Sequence, residues 1–251
     1  MTTSEGHVFR SFLRKFEPRF SLSDADRDAL EQANVHGRFV GPRTDIVSEG
    51  DVPDHLHIIR SGLACRCKFL PDGTRVILAF LIPGDVCDLN VPVIGALDHS
   101  IATLTLCEVA RVPHDVLGRL TASYPSLDHV LRCAALVDEA ILREWLLVVG
   151  HRPADRRLAH VFCEFLVRFQ SVGLATANRY ELPLTQVDLS DALGLSPVHV
   201  NRTLGSLKRR RLVTLEGKQV AIPDVEALKD FAMFDPAYLH LAPETNAPRV
   251  A

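Results

Sequence analysis

Between residues 39 and 112 the apolar positions fall in short runs separated by turn formers. The run from His55 to Leu70 ends at Pro71-Asp72-Gly73, and a second run, Arg75 to Ile82, ends at Pro83-Gly84-Asp85. Ile101 to Pro113 supplies two more. Runs rich in β-branched and aromatic residues, divided by turn residues every eight to twelve positions or so, predict an antiparallel sandwich or barrel. The expectation is a small β-roll. Gly62 sits between His55/His57 and Cys65/Cys67, which suggests a hairpin about that glycine.

The period then changes. From Ser126 to Val149, Leu127, Val130, Leu131, Ala134, Val137, Ile141, Trp145 and Val148 recur three or four apart, one continuous stripe on a helix. At about 1.5 Å per residue, some 24 residues span roughly 36 Å. Such a stripe could cover the helix's own β-roll, but its length and near-heptad spacing also suit the same helix of a second copy, so a homodimer is expected. Gly150-His151-Arg152-Pro153 breaks the pattern, since proline cannot continue a helix but serves well at the start of the next. The following helix is expected over about 154–170, and 171–181 reads as a loop.

Thr185-Gln186-Val187-Asp188 has the form of a capping box, and the short helix it opens ends at Gly194. Ser196-Pro197 then starts another, with an N-cap serine and a proline in the first turn. Two short helices joined by a glycine-containing turn form a helix-turn-helix. On the second, Val200, Leu204 and Leu207 share one side. At about 100° per residue, Val198, Arg202, Gly205 and Arg209 point the other way, flanked by His199, Asn201 and Ser206. That outward face has no acid, and its small residues allow close approach to a groove. Residues 210–222 form two alternating runs about Glu216-Gly217-Lys218, a hairpin that makes the module winged and puts Lys218 near its tip.

Composition adds boundaries. With 47% hydrophobic and 24% charged residues the chain excludes collagen-like and largely disordered classes. No apolar run reaches the roughly 18 residues of a membrane span, and the charged start lacks the look of a secretory signal, so a cytoplasmic protein is expected. The six cysteines (65, 67, 87, 107, 133 and 163) include no CxxC pair and read as buried, reduced thiols. Charge is unevenly placed: 15 Lys+Arg stand against 20 Asp+Glu before Arg152, and 13 against 11 from there on. Between Ser196 and Lys218 six basic residues face only Glu216. An acidic end joined to a basic patch fits a sensor joined to a polyanion binder.

This order of parts resembles the Crp/Fnr family of bacterial transcription regulators, over roughly residues 15–230. The segment from Leu182 to Leu204 is similar to the family's helix-turn-helix signature, Val137 to Trp145 to its dimer helix, and Ile82-Pro83-Gly84-Asp85-Val86-Cys87-Asp88-Leu89 to the start of its effector cassette. The resemblance implies an α+β chain: an N-terminal cyclic-nucleotide-binding-like jelly roll with flanking helices (1–125), a dimerisation helix (126–150), a winged helix-turn-helix (151–235) and a tail (236–251). It implies double-stranded DNA with a near-palindromic site, a second copy of the chain and RNA polymerase as partners. An unidentified small-molecule effector would sit near Gly84, Asp85, Asp88, Leu89, His99 and Ser100. The expected DNA-contacting residues are Thr185, Ser196, Val198, His199, Asn201, Arg202, Ser206, Arg209 and Lys218.

The departures are as informative. Where cyclic-AMP receptors carry Gly-Glu-Leu and Arg-Ser, this chain has Cys87-Asp88-Leu89 and His99-Ser100, and a neutral histidine replaces a bidentate guanidinium poorly opposite a phosphate. No cysteine precedes Cys65, so the N-terminal iron–sulfur cluster of Fnr-type sensors has no counterpart. Neither cyclic AMP nor an iron–sulfur centre is expected as cofactor. The family's base-reading glutamate maps onto Val198, while Arg202 matches its common arginine.

Two other classes compete. His55-Leu56-His57 is reminiscent of cupin metal enzymes, and with Cys65 and Cys67 could supply four N/S ligands if the strands share a register. The cupin carboxylate and third histidine are missing, however, since Arg60-Ser61 and Val86-Cys87 stand in those neighbourhoods. No catalytic residue and no metal site is assigned. A ligand-binding module whose basic end meets a protein or membrane would bind DNA without regard to sequence. The reading adopted is a homodimeric, sequence-specific DNA-binding regulator and not an enzyme.

Overall fold

The computed structural model describes residues 9–16, 20, 22–31 and 36–241, so the first eight residues and 242–251 of the expected tail lie outside it. Two short helices, α1 (Arg10–Phe16) and α2 (Asp24–Glu31), precede the strands β1 (His36–Val40), β2 (Asp45–Val47), β3 (His55–Ser61), β4 (Ala64–Phe69) and β5 (Arg75–Leu81). The turn α3 (Val91–Ile94) leads to β6 (Ser100–Thr103) and β7 (Cys107–Pro113), followed by α4 (His114–Ser123) and α5 (Pro125–His151). The remainder is α6 (Ala154–Val172), β8 (Arg179–Glu181), α7 (Gln186–Leu193), α8 (Pro197–Arg209), β9 (Thr214–Glu216), β10 (Gln219–Ala221), α9 (Val225–Ala232) and a 3-10 turn, Pro236–Leu239.

The strands of the first part form two sheets, ordered β1-β7-β3 and β2-β6-β4-β5. Strand β7 buries Cys107, Val109, Ala110 and Val112, and β3 buries each residue from Leu56 to Ile59. This is the expected β-roll, with one correction. Strand β3 pairs antiparallel with β7, His55 opposite Pro113 and Ile58 opposite Ala110, and β4 belongs to the other sheet. Gly62 is therefore a corner between sheets and not the turn of a symmetric hairpin, so the register that would align His55/His57 with Cys65/Cys67 does not arise. Cys65 and Cys67 are fully buried.

The chain separates into two compact units, one built on residues up to 66 with 80–138, the other on 67–79 with 139–239. In the first, Leu127, Val130 and Ala134 of α5 join a core with Phe9, Phe12, Phe16, Leu56, Ile58 and Val112. In the second, Trp145 and Val148 of α5 are buried, as are Leu158, Phe162, Phe165 and Phe169 of α6. The stripe read from the sequence is thus covered by the chain's own residues. The opposite side of α5 carries a second apolar set, Leu136, Leu142, Leu146 and Leu147, all exposed.

Helix α5 is longer than the apolar pattern shows, continuing through Gly150 to His151 before Pro153 caps α6. The turn is braced. Arg152 pairs with Glu144 at 2.7 Å and donates to His160 Nδ1 at 2.6 Å. The segment 171–181 also differs from its expected loop. Gly173 ends α6 in the left-handed conformation, and β8 then adds to the wing to give a sheet ordered β8-β10-β9. Tyr180 on β8 is buried and donates its hydroxyl to the Phe162 carbonyl at 2.8 Å.

Candidate nucleic-acid interface and effector cassette

Helix α7 is fixed at its start by a complete capping box. Thr185 Oγ1 accepts from the Asp188 amide at 3.1 Å, while Asp188 Oδ2 accepts from the Thr185 amide and hydroxyl at 2.9 and 2.7 Å. Such a box satisfies two helix-terminal donors at once. Gly194 ends α7 at φ 62°, and Ser196 caps α8 by accepting from the His199 amide at 3.2 Å. The sequence thus sets both helix starts and the turn between them.

The two helices are cross-tied. Asn201 Nδ2 donates to Gln186 Oε1 at 3.2 Å, while Arg157 of α6 donates to the Leu193 carbonyl at the end of α7. On α8, Val200, Leu204 and Leu207 face the core, whereas Val198 is 80% exposed and Arg202 and Arg209 lie open on the outward side. Neither arginine makes an ion pair among the described residues. A Cβ at Gly205 would stand 3.4 Å from the Arg209 guanidinium, at ordinary contact distance. Alongside runs an open groove of about 430 Å³ lined by Ala154, Asp155, His199, Arg202, Thr203, Ser206 and Arg209. Lys218 is exposed on the wing next to Gly217, whose φ is 60°.

Two residues of this face escape a reading by sequence. Gln186 holds α8 to α7, and its only signal was its place at the first position after the cap. Asp155 brings an acid from another helix to the edge of a face that has none of its own.

Of the predicted effector residues, Gly84, Asp85 and Asp88 are each engaged by other segments of the chain. Gly84 has φ +92°, and a Cβ on it would lie 2.8 Å from the backbone carbonyl of Ser11, so α1 lies directly against the cassette. Asp85 accepts from the Ile82 amide and pairs with Lys15 Nζ at 2.8 Å, both side chains buried. Asp88 accepts from the His57 amide at 2.7 Å with one oxygen and meets His57 Nδ1 at 2.6 Å with the other. Ser100 Oγ accepts from the Glu49 amide, and His99 Nδ1 meets Asp98 at 2.7 Å. Leu89 is half-buried.

Arg66, which the sequence did not single out, reaches from β4 to the Val86 and Cys87 carbonyls and pairs with Asp138 of α5 at 2.7 Å. Burial works against its charge, but Asp138, followed by Cys87 and Asp85, holds its pKa above the usual arginine value. Burial likewise pushes the Cys87 thiol well up, out of the reactive range.

The space left between the cassette and α5, lined by Lys15, Phe16, Gly84, Leu89 and Asp138 among others, is about 10 Å³. That is room for about one water, against the roughly 300 Å³ or more of an ordinary ligand pocket. With Asp88 engaged by His57, Asp85 by Lys15 and Arg66 by Asp138, these residues do not fit a cyclic nucleotide. Among the described residues no three His, Cys, Asp or Glu side chains converge as a metal site, and no helix is long and apolar enough to cross a membrane.

Comparison with known proteins agrees with this division of parts. Residues 38–124 match the cyclic nucleotide-binding domain, and 156–231 match the Crp-like helix-turn-helix domain. The chain is 29% identical over 217 residues to the transcriptional activatory protein AadR of Rhodopseudomonas palustris, covering 85% of each. It is 28% identical to the nitrogen fixation regulation protein FixK of Bradyrhizobium diazoefficiens, over 83% of this chain and 87% of that one. The solved structure of FixK2 from Bradyrhizobium japonicum shares the fold with a TM-score of 0.70 at 23% identity, covering 78% of this chain and 96% of the other. With a cyclic-nucleotide-binding-like β-roll, a long helix and a winged helix-turn-helix in this order, the chain belongs to the Crp/Fnr family of transcription regulators.

Proposed function

We propose that the protein acts as a homodimer that reads a two-fold symmetric DNA site, with its β-roll carrying the signal that modulates binding and RNA polymerase as the downstream partner. The reading places it in the cytoplasm and gives it no catalytic role. The observation that carries it is the outward face of α8. A capped, cross-tied helix presents Val198, Arg202 and Arg209 to solvent beside His199, Asn201 and Ser206, and α8 itself puts no acid on the face. In this reading Arg202 and Arg209 contact base edges and phosphates. Val198 meets a thymine methyl and His199 a base or phosphate. Lys218 takes a phosphate from the wing, while the α7 start at Thr185 and the α8 start at Ser196 set register on the backbone. The Thr185 hydroxyl is already donated to Asp188, so the helix start rather than that hydroxyl supplies the donors to phosphate.

Selection of bound duplexes from a random-sequence pool tests this directly. The expected result is a symmetric site with half-sites about 34 Å apart, one helical turn. Arg202→Ala is expected to cost about 1–3 kcal/mol on that site and to relax preference at one position of each half-site. Recovery of no motif, or unchanged binding by Arg202→Ala, would remove the assignment.

The exposed set Leu136, Leu142, Leu146 and Leu147 supports dimerisation through α5, since each leucine covered by a partner gains about 1.5–3 kcal/mol. Leu146→Glu should therefore give a monomer at micromolar concentration by sedimentation, with the fold intact by circular dichroism. A variant that still sediments as a dimer would move the interface elsewhere.

A further inference from the structure

Helix α7 carries two carboxylates three residues apart on one face, Asp188 and Asp191, and both meet Arg75. Arg75 Nη2 donates to Asp188 Oδ1 at 2.7 Å, and its Nε donates to Asp191 Oδ2 at 2.8 Å. Arg75 opens β5 just after the Pro71-Asp72-Gly73 turn, and the hairpin tip 67–79 belongs to the same compact unit as the winged module. The Asp188 side chain is wholly buried, and those of Arg75 and Asp191 are 17% and 18% exposed. Asp188 thus divides its oxygens, one closing the capping box on Thr185 and the other receiving the guanidinium.

We propose that Arg75 is a positioning residue for DNA binding: it neutralises the acid pair on the first helix of the reader and fixes that helix, and through Gln186 and Asn201 it fixes α8. The proposal rests on the DNA reading above. Asp191 lies six positions beyond the Thr185 cap, about 9 Å along the helix, close to the Debye length of about 8 Å at physiological salt. A phosphate at the start of α7 would otherwise meet the two carboxylates without this guanidinium between them. The planar fork of an arginine bridges the two acids, and a lysine, a single point charge, does so less well. The sequence gives little sign of this, because Arg75 and Asp188 lie 113 residues apart.

The experiment compares wild type, Arg75→Ala, Arg75→Lys, Asp191→Asn and Arg75→Ala/Asp191→Asn for affinity to the selected site and to a random-sequence 30-base-pair duplex. Salt is varied, and folding is checked by amide exchange without DNA. Arg75→Ala is expected to weaken both duplexes about tenfold at moderate salt, with the deficit shrinking as salt rises. Arg75→Lys should fall between Arg75→Ala and wild type. The decisive result is that Asp191→Asn, added to Arg75→Ala, restores most of the lost affinity, which a merely structural brace would not do. Wild-type affinity in Arg75→Ala, or a further loss on adding Asp191→Asn, overturns the proposal alone. A wild-type protein that binds neither duplex overturns the DNA reading and the proposal with it.

Discussion

Gly62→Ala is expected to destabilise the β-roll by roughly 3 kcal/mol or more, the sum of a left-handed backbone cost and an overpacked corner. Gly62 has φ +83°, and an added Cβ would collide with the Leu106 carbonyl oxygen and stand 2.8 Å from the Cys107 sulfur and 2.9 Å from Thr105 Oγ1. None of these can retreat cheaply. Thr105 Oγ1 accepts from the Leu63 amide, and the Leu63 carbonyl accepts from the Leu104 and Thr105 amides and from the Cys107 thiol. The corner where the chain leaves one sheet for the other is therefore stitched to the β6–β7 connection. Gly73→Ala is the control, since Gly73 has φ +82° but nothing within 4 Å of the added carbon. It should lose only about 1–2 kcal/mol. Urea unfolding of the two variants separates the contributions, and equal midpoints would show that the corner yields and the steric account is wrong.

That glycine also marks where sequence reasoning stops. Alternation and turn residues between 39 and 112 are local properties, and they sufficed for the β-roll. Which strand pairs with which is non-local. The run around Gly62 looks like a hairpin because its two halves are equally apolar, yet β3 finds β7 about fifty residues away. Strand β8 was missed for a related reason: Arg179-Tyr180-Glu181 has one apolar residue between two charges, and only its pairing with β10 makes it a strand. The apolar stripe of α5 was legible, but what covers it was not. Seven of its eight residues are buried within the chain, while the leucines of the other side stay exposed.

The outward face of α8 was read more fully than the cassette. Caps, turn and helical phase are written in consecutive residues, so Thr185, Ser196 and the outward set from Val198 to Arg209 stand where spacing puts them. The cassette residues were located, but what engages them comes from distant segments: Lys15 for Asp85, His57 for Asp88 and α1 against Gly84. No local pattern announces which distant segment engages them.

Glu164→Ala should be the most damaging single change in the winged unit, costing about 3–5 kcal/mol, because it leaves buried donors and a buried arginine without their common acceptor. Glu164 Oε2 accepts from Trp145 Nε1 at 2.9 Å and from the Tyr238 hydroxyl at 2.6 Å, and Oε1 pairs with Arg168 at 3.1 Å. An arginine can only donate, so the Arg152 contact makes His160 Nδ1 an acceptor and leaves the proton on Nε2, which faces the Tyr238 oxygen at 3.1 Å. The network joins the end of α5, the turn at Arg152, α6 and the segment after α9. Burial alone would raise the Glu164 pKa, but the His160 hydrogen bond, the Arg168 charge and the Tyr238 hydroxyl bring it down to about 2. A carboxylate depressed in the folded state contributes stability that is present above its unfolded value of about 4.5 and is lost as pH falls toward 2. The wild-type winged unit should lose stability over that window, and Glu164→Ala should show a flatter profile there from a lower starting point. Tyr238→Phe removes two hydrogen bonds, the one donated to Glu164 and the one accepted from His160, and should cost about 1–3 kcal/mol. Thermal unfolding at pH 7 and pH 3 reads all three, and a Glu164→Ala variant no weaker than Tyr238→Phe would mean that the carboxylate does not organise the turn from α5 into α6.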